Sequence, residues 1–335
     1  MGSFDLEEKR LKKEIVKRKA KKVLLQLPEG LKPEATKLAK VIEEAGATPL
    51  ILAEPCYGAC DIALEEAKAL KADLIVHYGH SPLIIQDEVP TLYFPAKAKT
   101  RVISTVRKAL PLLEDYSKIG LVTTIQHIHV LEKVRKALLD AGKAVVIGDA
   151  SKTAHPGQVV GCDFSNAQAI AEEVEAFLFF GGGRFHAIGV ALSTGKPVVI
   201  ADPYLRQAYR LEDEVNRILR RRWASIDEAR KAETFGVLIG LKVGQKRFKK
   251  ALEIKKKLEE AGRKAFLIAL REITPERLMQ FPSVDAYVNT ACPRLSLDDA
   301  PKFRKPLLTP RELQVMLGEL SWEEVCRKGW FENEI

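Results

Sequence analysis

The chain has 335 residues, 46% of them hydrophobic and 30% charged, with a formal net charge of +9. That balance supplies enough apolar material for several cores and excludes a disordered or low-complexity chain. The longest apolar runs are strand-length and the charged N-terminus has no signal-like apolar core, so neither a transmembrane helix nor a secreted product is expected.

In chain order, the segment ahead of Lys22 reads as an amphipathic helix. A strand follows at VLLQL from Val23, then a helix with Leu38, Val41, Ile42 and Ala45 on one face, closed at Gly46. Further strands come at TPLILAE from Thr48 and ADLIVHYGH from Ala72. The same succession returns as GLVTTIQ from Gly120, a helix with Leu131, Val134 and Leu138 closed at Gly142, AVVIGDA from Ala144 and EAFLFFGGG from Glu175. It returns again as GVLIGL from Gly236, a helix with Phe248, Ala251, Ile254 and Leu258 closed at Gly262, AFLIAL from Ala265 and VDAYVNTAC from Val284. Near-continuous apolar strands alternating with amphipathic helices predict an α/β fold of three pseudo-symmetric repeats. Each repeat is expected to be a small parallel sheet with flanking helices around a central site. Expected boundaries are 1–116, 117–232 and 233–335, with seams near Asp115 to Lys118 and in the Arg-rich helix before Thr234.

Each repeat carries a cysteine in a loop after a strand: Cys60 in YGACD, Cys162 in VVGCDFS and Cys292 in NTACPRL. Ligands of open α/β sheets bind at the carboxyl ends of strands, where these loops lie. Three thiolates on a cuboidal iron–sulfur cluster leave one iron open to substrate. The correspondence has one irregularity, because Cys60 and Cys162 follow the second strand of their repeats and Cys292 the third. Cys56 forms a Cys-x-x-x-Cys pair with Cys60, and on spacing alone either could bind metal. Cys326, in SWEEVCRKG, reads as packing in a terminal helix. Paired Cys-x-x-Cys knuckles are absent, which argues against zinc fingers. Five cysteines without a secretion signal suggest a reducing cytoplasm. Arg217, Arg220, Arg221 and Arg222 beside Trp223, and the run Lys17 to Lys22, read as solvated helix faces. No nucleic-acid motif accompanies them, so neither direct nucleic-acid binding nor membrane association is expected.

The phrases LPEGL from Leu27, YGACD from Tyr57, HYGHS from His77, TTIQH from Thr123, GQVVGCDFS from Gly157, GGGRFH from Gly181, DPY from Asp202 and ACPRLSLDD from Ala291 resemble the archaeal diphthamide-synthesis family, the 2-(3-amino-3-carboxypropyl)histidine synthases. The resemblance runs from about Leu24 to Asp299 and covers all three repeats. It implies one 4Fe-4S cluster per chain on Cys60, Cys162 and Cys292, with Cys56 outside the set. It also implies S-adenosylmethionine as co-substrate, cleaved at its γ-carbon to a 3-amino-3-carboxypropyl radical and methylthioadenosine. The radical would add to carbon 2 of a histidine imidazole in translation elongation factor 2. A homodimer and an unidentified electron donor are part of the same implication.

On that footing Gly181, Gly182 and Gly183 would admit close approach of an adenosine or carboxylate, with a tight turn as the plainer reading. Arg184 would bind carboxylate, and His186 would hydrogen-bond a ribose or a cluster sulfur. Gln26 and Glu29 after the first strand, and Gln126 and His127 in the comparable place of the second repeat, would line the cavity. His77, His80 and His155 read first as structural, and Asp202 and Tyr204 as turn chemistry. Quinolinate synthase resembles the same plan, with three repeats each giving one cysteine to a Lewis-acidic cluster. GGGRFH and ACPRLSLDD fit the diphthamide family better. A noncatalytic cluster-binding subunit is the third reading, disfavoured by retention of all three cysteines.

Overall fold

In the computed structural model, which describes residues 4–84, 86–149 and 153–330, the apolar runs form three separate sheets. A short strand β1 (Phe4–Asp5) precedes the helix Glu8–Arg18. Strands β2 (Lys22–Gln26), β3 (Thr48–Ile51), β4 (Leu74–Tyr78) and β5 (Thr91–Phe94) then build the first sheet, all parallel, in the order β3-β2-β4-β5. After them β6 (Lys97–Ala98) turns back to pair antiparallel with β1. The second sheet holds β7 (Lys118–Thr123), β8 (Ala144–Val146), β9 (Ala176–Phe180), β10 (Val198–Asp202) and β11 (Gln207–Arg210) in the order β11-β10-β9-β7-β8, with β11 antiparallel. The third holds β12 (Thr234–Gly240), β13 (Lys264–Leu270), β14 (Ala286–Asn289) and β15 (Leu307–Leu308) in the order β13-β12-β14-β15. Ala150, the last residue of the AVVIGDA run, lies outside the described residues.

In every sheet the second strand lies outside the first, and the third and fourth lie on the first strand's other side. Chain direction across the sheet therefore reverses between the first and third strands, and a crevice opens at their carboxyl ends. The residue pairs at those switch points are Gln26 with His77, Thr123 with Phe180, and Leu238 with Asn289.

The glycines that marked the repeats have one physical job. Gly46, Gly142 and Gly262 have φ of 86°, 79° and 76°, the left-handed region that glycine enters without a Cβ penalty. The following residues, Ala47, Lys143 and Arg263, donate back to the carbonyls of Ile42, Leu138 and Leu258 at 3.2, 3.1 and 2.9 Å. Three helices thus end in the same Schellman closure and turn into the next strand.

A helix also precedes each sheet and covers it. Leu11 and Ile15 of Glu8–Arg18 are buried with Val23 and Val76. Val102, Val106 and Ala109 of the helix Val102–Ala109 pack with Ile119, Leu121 and Leu178. Ile218 and Ile226 of Glu212–Ala229 pack with Phe235 and Val237. The latter two helices precede the sequence seams, yet pack one repeat further on.

The reading of the arginine run as solvated is corrected at one position. Arg217, Arg220 and Arg221 are exposed, but Arg222 is 1% exposed. Arg222 sits four residues from both Ile218 and Ile226, on the buried stripe. Its Nε and Nη2 donate to the two carboxylate oxygens of Glu312 at 2.7 and 2.6 Å, and Nη2 also reaches the Leu307 carbonyl.

One apolar cluster joins the second and third sheets, from Phe177, Phe179 and Ile200 to Phe235, Val237 and Val288. The first sheet has cores of its own, with Val243 of the third repeat packed partly against one of them. Polar links also cross to it, among them Lys242 to Asp61 and Gln126 to Gly79. No helix among the described residues is long and apolar enough to cross a membrane.

Candidate functional site

Cys60 lies in the loop between β3 and the helix Leu64–Leu70. The third repeat holds it there. Gly244 donates its N–H to the Cys60 carbonyl at 2.8 Å, and Gln245 Nε2 approaches the Cys60 sulfur at 3.6 Å. A Cβ on Gly244 would meet Cys60 Cα and Cβ at 2.8 Å, so glycine is required for this approach. The next residue, Asp61, pairs with Lys242 at 3.0 Å, and Lys242 also pairs with Glu272 at 2.9 Å. Both members of the Asp61–Lys242 pair are buried, which ties the cysteine loop to the carboxyl end of β12.

Cys162 sits near the tip of a four-residue turn closed by Val160 and Asp163, each of which donates its backbone N–H to the other's carbonyl. Asp163 Oδ1 accepts from the Ser165 N–H at 2.9 Å, leading the chain into the helix Ser165–Ala169. The segment before the turn extends the second sheet, because Val159 N–H donates to the Thr123 carbonyl at 2.8 Å.

Cys292 caps the short helix Pro293–Leu297. Asn289, at the end of β14, grips this loop: its Oδ1 accepts from the Ala291 and Cys292 N–H groups at 3.0 and 3.3 Å, and its Nδ2 donates to the Cys292 carbonyl at 2.5 Å.

The three thiols act on one another electrostatically. Burial, and then the charge of Cys292, push the Cys60 thiol up to about 11 against the Gln245 hydrogen bond. Burial raises Cys162, and Cys60 and then Cys292 add to it. Burial raises Cys292, with backbone hydrogen bonding and the charge of Arg294 acting in the opposite sense. All three pairs therefore lie within electrostatic reach, although each thiol comes from a different sheet. Three thiolates crowded this closely are unfavourable as free anions and call for a shared cation. An all-sulfur donor set of this kind suits iron–sulfur chemistry.

Arg294, which sequence reasoning did not single out, is buried beside the thiols, and the charges of Cys292 and Cys162 act on it. It pairs with Asp298 at 2.5 Å and lies over the Phe185 ring, 3.0 Å from its centroid. Burial pulls Arg294 down to about 10 and pushes Asp298 up to about 6, each against its partner's charge. Nη1 and Nη2 of Arg294 have no hydrogen-bond partner among the described residues. A buried guanidinium in this condition is prepared for an anionic ligand. His186 shares the neighbourhood: burial, then Arg294 and His80, hold its imidazole down at about 3.

The remaining expected lining residues divide into two groups. Gln126 donates Nε2 to the Gly79 carbonyl at 2.5 Å, joining first and second repeats. His127 is buried between Phe180 and Tyr204, each 5.5 Å away between ring centroids. The Tyr204 ring covers Gly182, where a Cβ would meet it at 2.5 Å. Gly183 has φ 77° and donates to Asp202 Oδ2 at 3.2 Å, while Asp202 Oδ1 accepts from Tyr204 and Leu205. Gly181 is buried at the end of β9, so the three glycines make a tight turn under Tyr204. In the second group, Glu29 and Arg184 are exposed and engaged elsewhere. Glu29 pairs with Lys32 at 2.5 Å, and Arg184, expected to bind a carboxylate, pairs with Glu214 at 3.0 Å. Gln26 is buried and fully occupied with Asp61, Ala63 and His77. His155 is exposed.

His127 sets a pH dependence. Burial, then His129, pushes its imidazole down to about 4, below the roughly 6.5 of a free histidine. Between these values the unfolded chain binds more protons, so stability falls as pH drops from about 6.5 to about 4. The urea midpoint is expected to decline across that window, and less steeply in His127→Gln. Equal slopes would remove His127 as a cause.

A family model described as a diphthamide synthesis protein matches residues 27–327. The chain is 40% identical over 318 residues to the 2-(3-amino-3-carboxypropyl)histidine synthase of Pyrococcus horikoshii, covering 93% of this chain and 91% of that protein. It is 34% identical over 314 residues to subunit 1 of the synthase from Gallus gallus, covering 91% of this chain and 75% of that protein. Its fold is similar to the crystal structure of Dph2 from Pyrococcus horikoshii with a 4Fe-4S cluster, with a TM-score of 0.89 and 38% identity, covering 98% of this chain and 94% of that one.

Proposed function

This chain belongs to the diphthamide synthesis family, and from that premise we propose that it is a 2-(3-amino-3-carboxypropyl)histidine synthase, catalysing the first step of diphthamide formation. The observation that supports the reading is that Cys60, Cys162 and Cys292, one from each repeat, lie within electrostatic reach of one another. When bound there, a 4Fe-4S cluster supplies an electron to the sulfonium of S-adenosylmethionine from an iron without a protein ligand.

The bond between sulfur and the γ-carbon breaks as that electron enters, and methylthioadenosine leaves. The 3-amino-3-carboxypropyl radical adds to carbon 2 of a histidine imidazole in elongation factor 2. The adduct's surplus electron passes to a one-electron acceptor, such as the oxidised cluster, and its carbon 2 proton passes to solvent, which restores the aromatic ring. Placement decides which carbon is cut, and this chain supplies the placement. Arg294 takes the methionine carboxylate in place of Arg184, because its two unpartnered Nη groups form a fork beside the thiols. Gln245 steadies Cys60, and Asn289 holds the Cys292 loop. The same reading includes a cytoplasmic homodimer served by a one-electron donor.

The test is the nucleoside released when anaerobic, iron-loaded protein is reduced with dithionite in the presence of S-adenosylmethionine. Methylthioadenosine is expected. Deoxyadenosine, or no cleavage by iron-replete protein, would overturn the proposal.

A further inference from the structure

Four residues before Cys60, and outside the trithiolate, a second set of metal-binding side chains converges. The Cys56 sulfur and one ring nitrogen each of His77 and His80 lie within 4.8 Å of one another. Cys56 and His77 are buried and His80 is partly so. Proximity alone is a weak argument, since a buried histidine pair beside a cysteine is also ordinary packing. The hydrogen bonds around His77 decide more.

Gln26 and His77 face each other across the switch point of the first sheet. The Gln26 carboxamide has one possible orientation. Its Nε2 donates to the Asp61 carbonyl at 2.6 Å, and its Oε1 accepts from the Ala63 N–H at 3.2 Å. That oxygen also lies 2.8 Å from His77 Nδ1. Because an oxygen cannot donate, Nδ1 carries the proton, and His77 Nε2 presents its lone pair as an acceptor toward His80. Nε2 lies 2.9 Å from His80 Nδ1. A histidine whose outer nitrogen donates to a fixed oxygen while its inner nitrogen turns its lone pair toward a second histidine has the arrangement found around bound metals.

We propose that Cys56, His77 and His80 form a second metal centre that binds one zinc-class divalent cation, separate from the three thiols of the cluster pocket. One sulfur and two imidazole nitrogens make a borderline-soft set that suits zinc, and a three-ligand site leaves a fourth position for water or substrate. His80 also acts on His186, so the centre borders the pocket that holds Arg294.

The experiment uses full-length, iron-loaded protein, so that the trithiolate is already filled. It is incubated with zinc, desalted under argon, and analysed for both metals and by zinc K-edge X-ray absorption. One zinc per chain is expected in addition to iron, with one sulfur at about 2.3 Å and nitrogen at about 2.0–2.1 Å. Cys56→Ser and His80→Ala are expected to lose this zinc and keep wild-type iron. Gln26→Ala should weaken zinc binding by about 10–100-fold, the usual effect of removing a group that orients a ligand. Cys60→Ala should lose iron and keep zinc. Failure of the wild type to retain zinc, a zinc shell of three sulfurs, zinc binding that survives Cys56→Ser, or iron loss in Cys56→Ser would each overturn the proposal.

Discussion

Cys162→Ala is expected to retain its fold and lose its iron, and with it the release of methylthioadenosine. The turn that carries Cys162 is closed by backbone bonds between Val160 and Asp163 and anchored by Val159 on Thr123. None of these bonds uses the sulfur, so the loop survives the change. What disappears is one of three ligands, each from a different sheet. The loss in activity should exceed the roughly 10–100-fold typical of removing a group that only orients a metal ligand. Cys326→Ala supplies the contrast, since Cys326 lies with Leu192 and Trp330 along an apolar cavity of about 320 Å³, apart from the other thiols. Iron content, the absorption spectrum and nucleoside release, measured together on anaerobic protein, check the outcome. Iron in Cys162→Ala equal to wild type would remove the residue from the site.

Arg222→Met is expected to cost about 3–5 kcal/mol of stability, the usual effect of leaving half of a buried ion pair behind. Glu312 is fully buried and also accepts from the Trp330 indole at 2.9 Å and the Thr309 N–H at 2.7 Å. Removing the guanidinium leaves that carboxylate with hydrogen bonds and no counter-charge. The double variant Arg222→Met/Glu312→Leu should recover much of the loss, because two apolar side chains of similar volume can replace a buried pair. Urea unfolding of the wild type, Arg222→Met, Glu312→Leu and the double variant gives the coupling. A cost below about 1 kcal/mol in the single variant would place the pair with ordinary surface bridges.

The parts of the fold legible in the sequence are those with a local cause. A left-handed glycine after an amphipathic helix is required by the chain itself, so Gly46, Gly142 and Gly262 exposed the repeats, and the flanking apolar runs exposed three strands in each. The fourth strands were harder. β15 has two residues, β5 lies between Pro90 and Pro95, and β10 runs into the DPY turn. The helices that precede the second and third sheets read as ends of the previous repeats, because nothing local says which sheet an amphipathic face will cover. Arg222 had a signal that went unused: it recurs with Ile218, Ile226 and Ala229 on one helical face, so its position was apolar even though its side chain is not.

At the site, the cysteines stood out by residue type, and the groups that govern them did not. Arg294 matters because Phe185 and Asp298 converge on it, and Gln245 because Gly244 lets its loop reach Cys60. Gln26 looked like a cavity-lining residue from its place at a strand end. Tertiary hydrogen bonds to Asp61, Ala63 and His77 show it holding a neighbour in position instead.

The unequal sharing of apolar cores gives metal binding a mechanical side. The second and third repeats share one hydrophobic cluster, while the first has cores of its own and is tied to the others by polar links that include Lys242 to Asp61, Gln126 to Gly79 and Gly244 to Cys60. Such links contribute little net free energy each. On the proposed ligation, a cluster shared by thiols from all three repeats would act as a clasp on the first repeat, and the free energy of ligation would appear as docking free energy. Occupancy of the centre and docking of the first repeat would then be linked in one equilibrium.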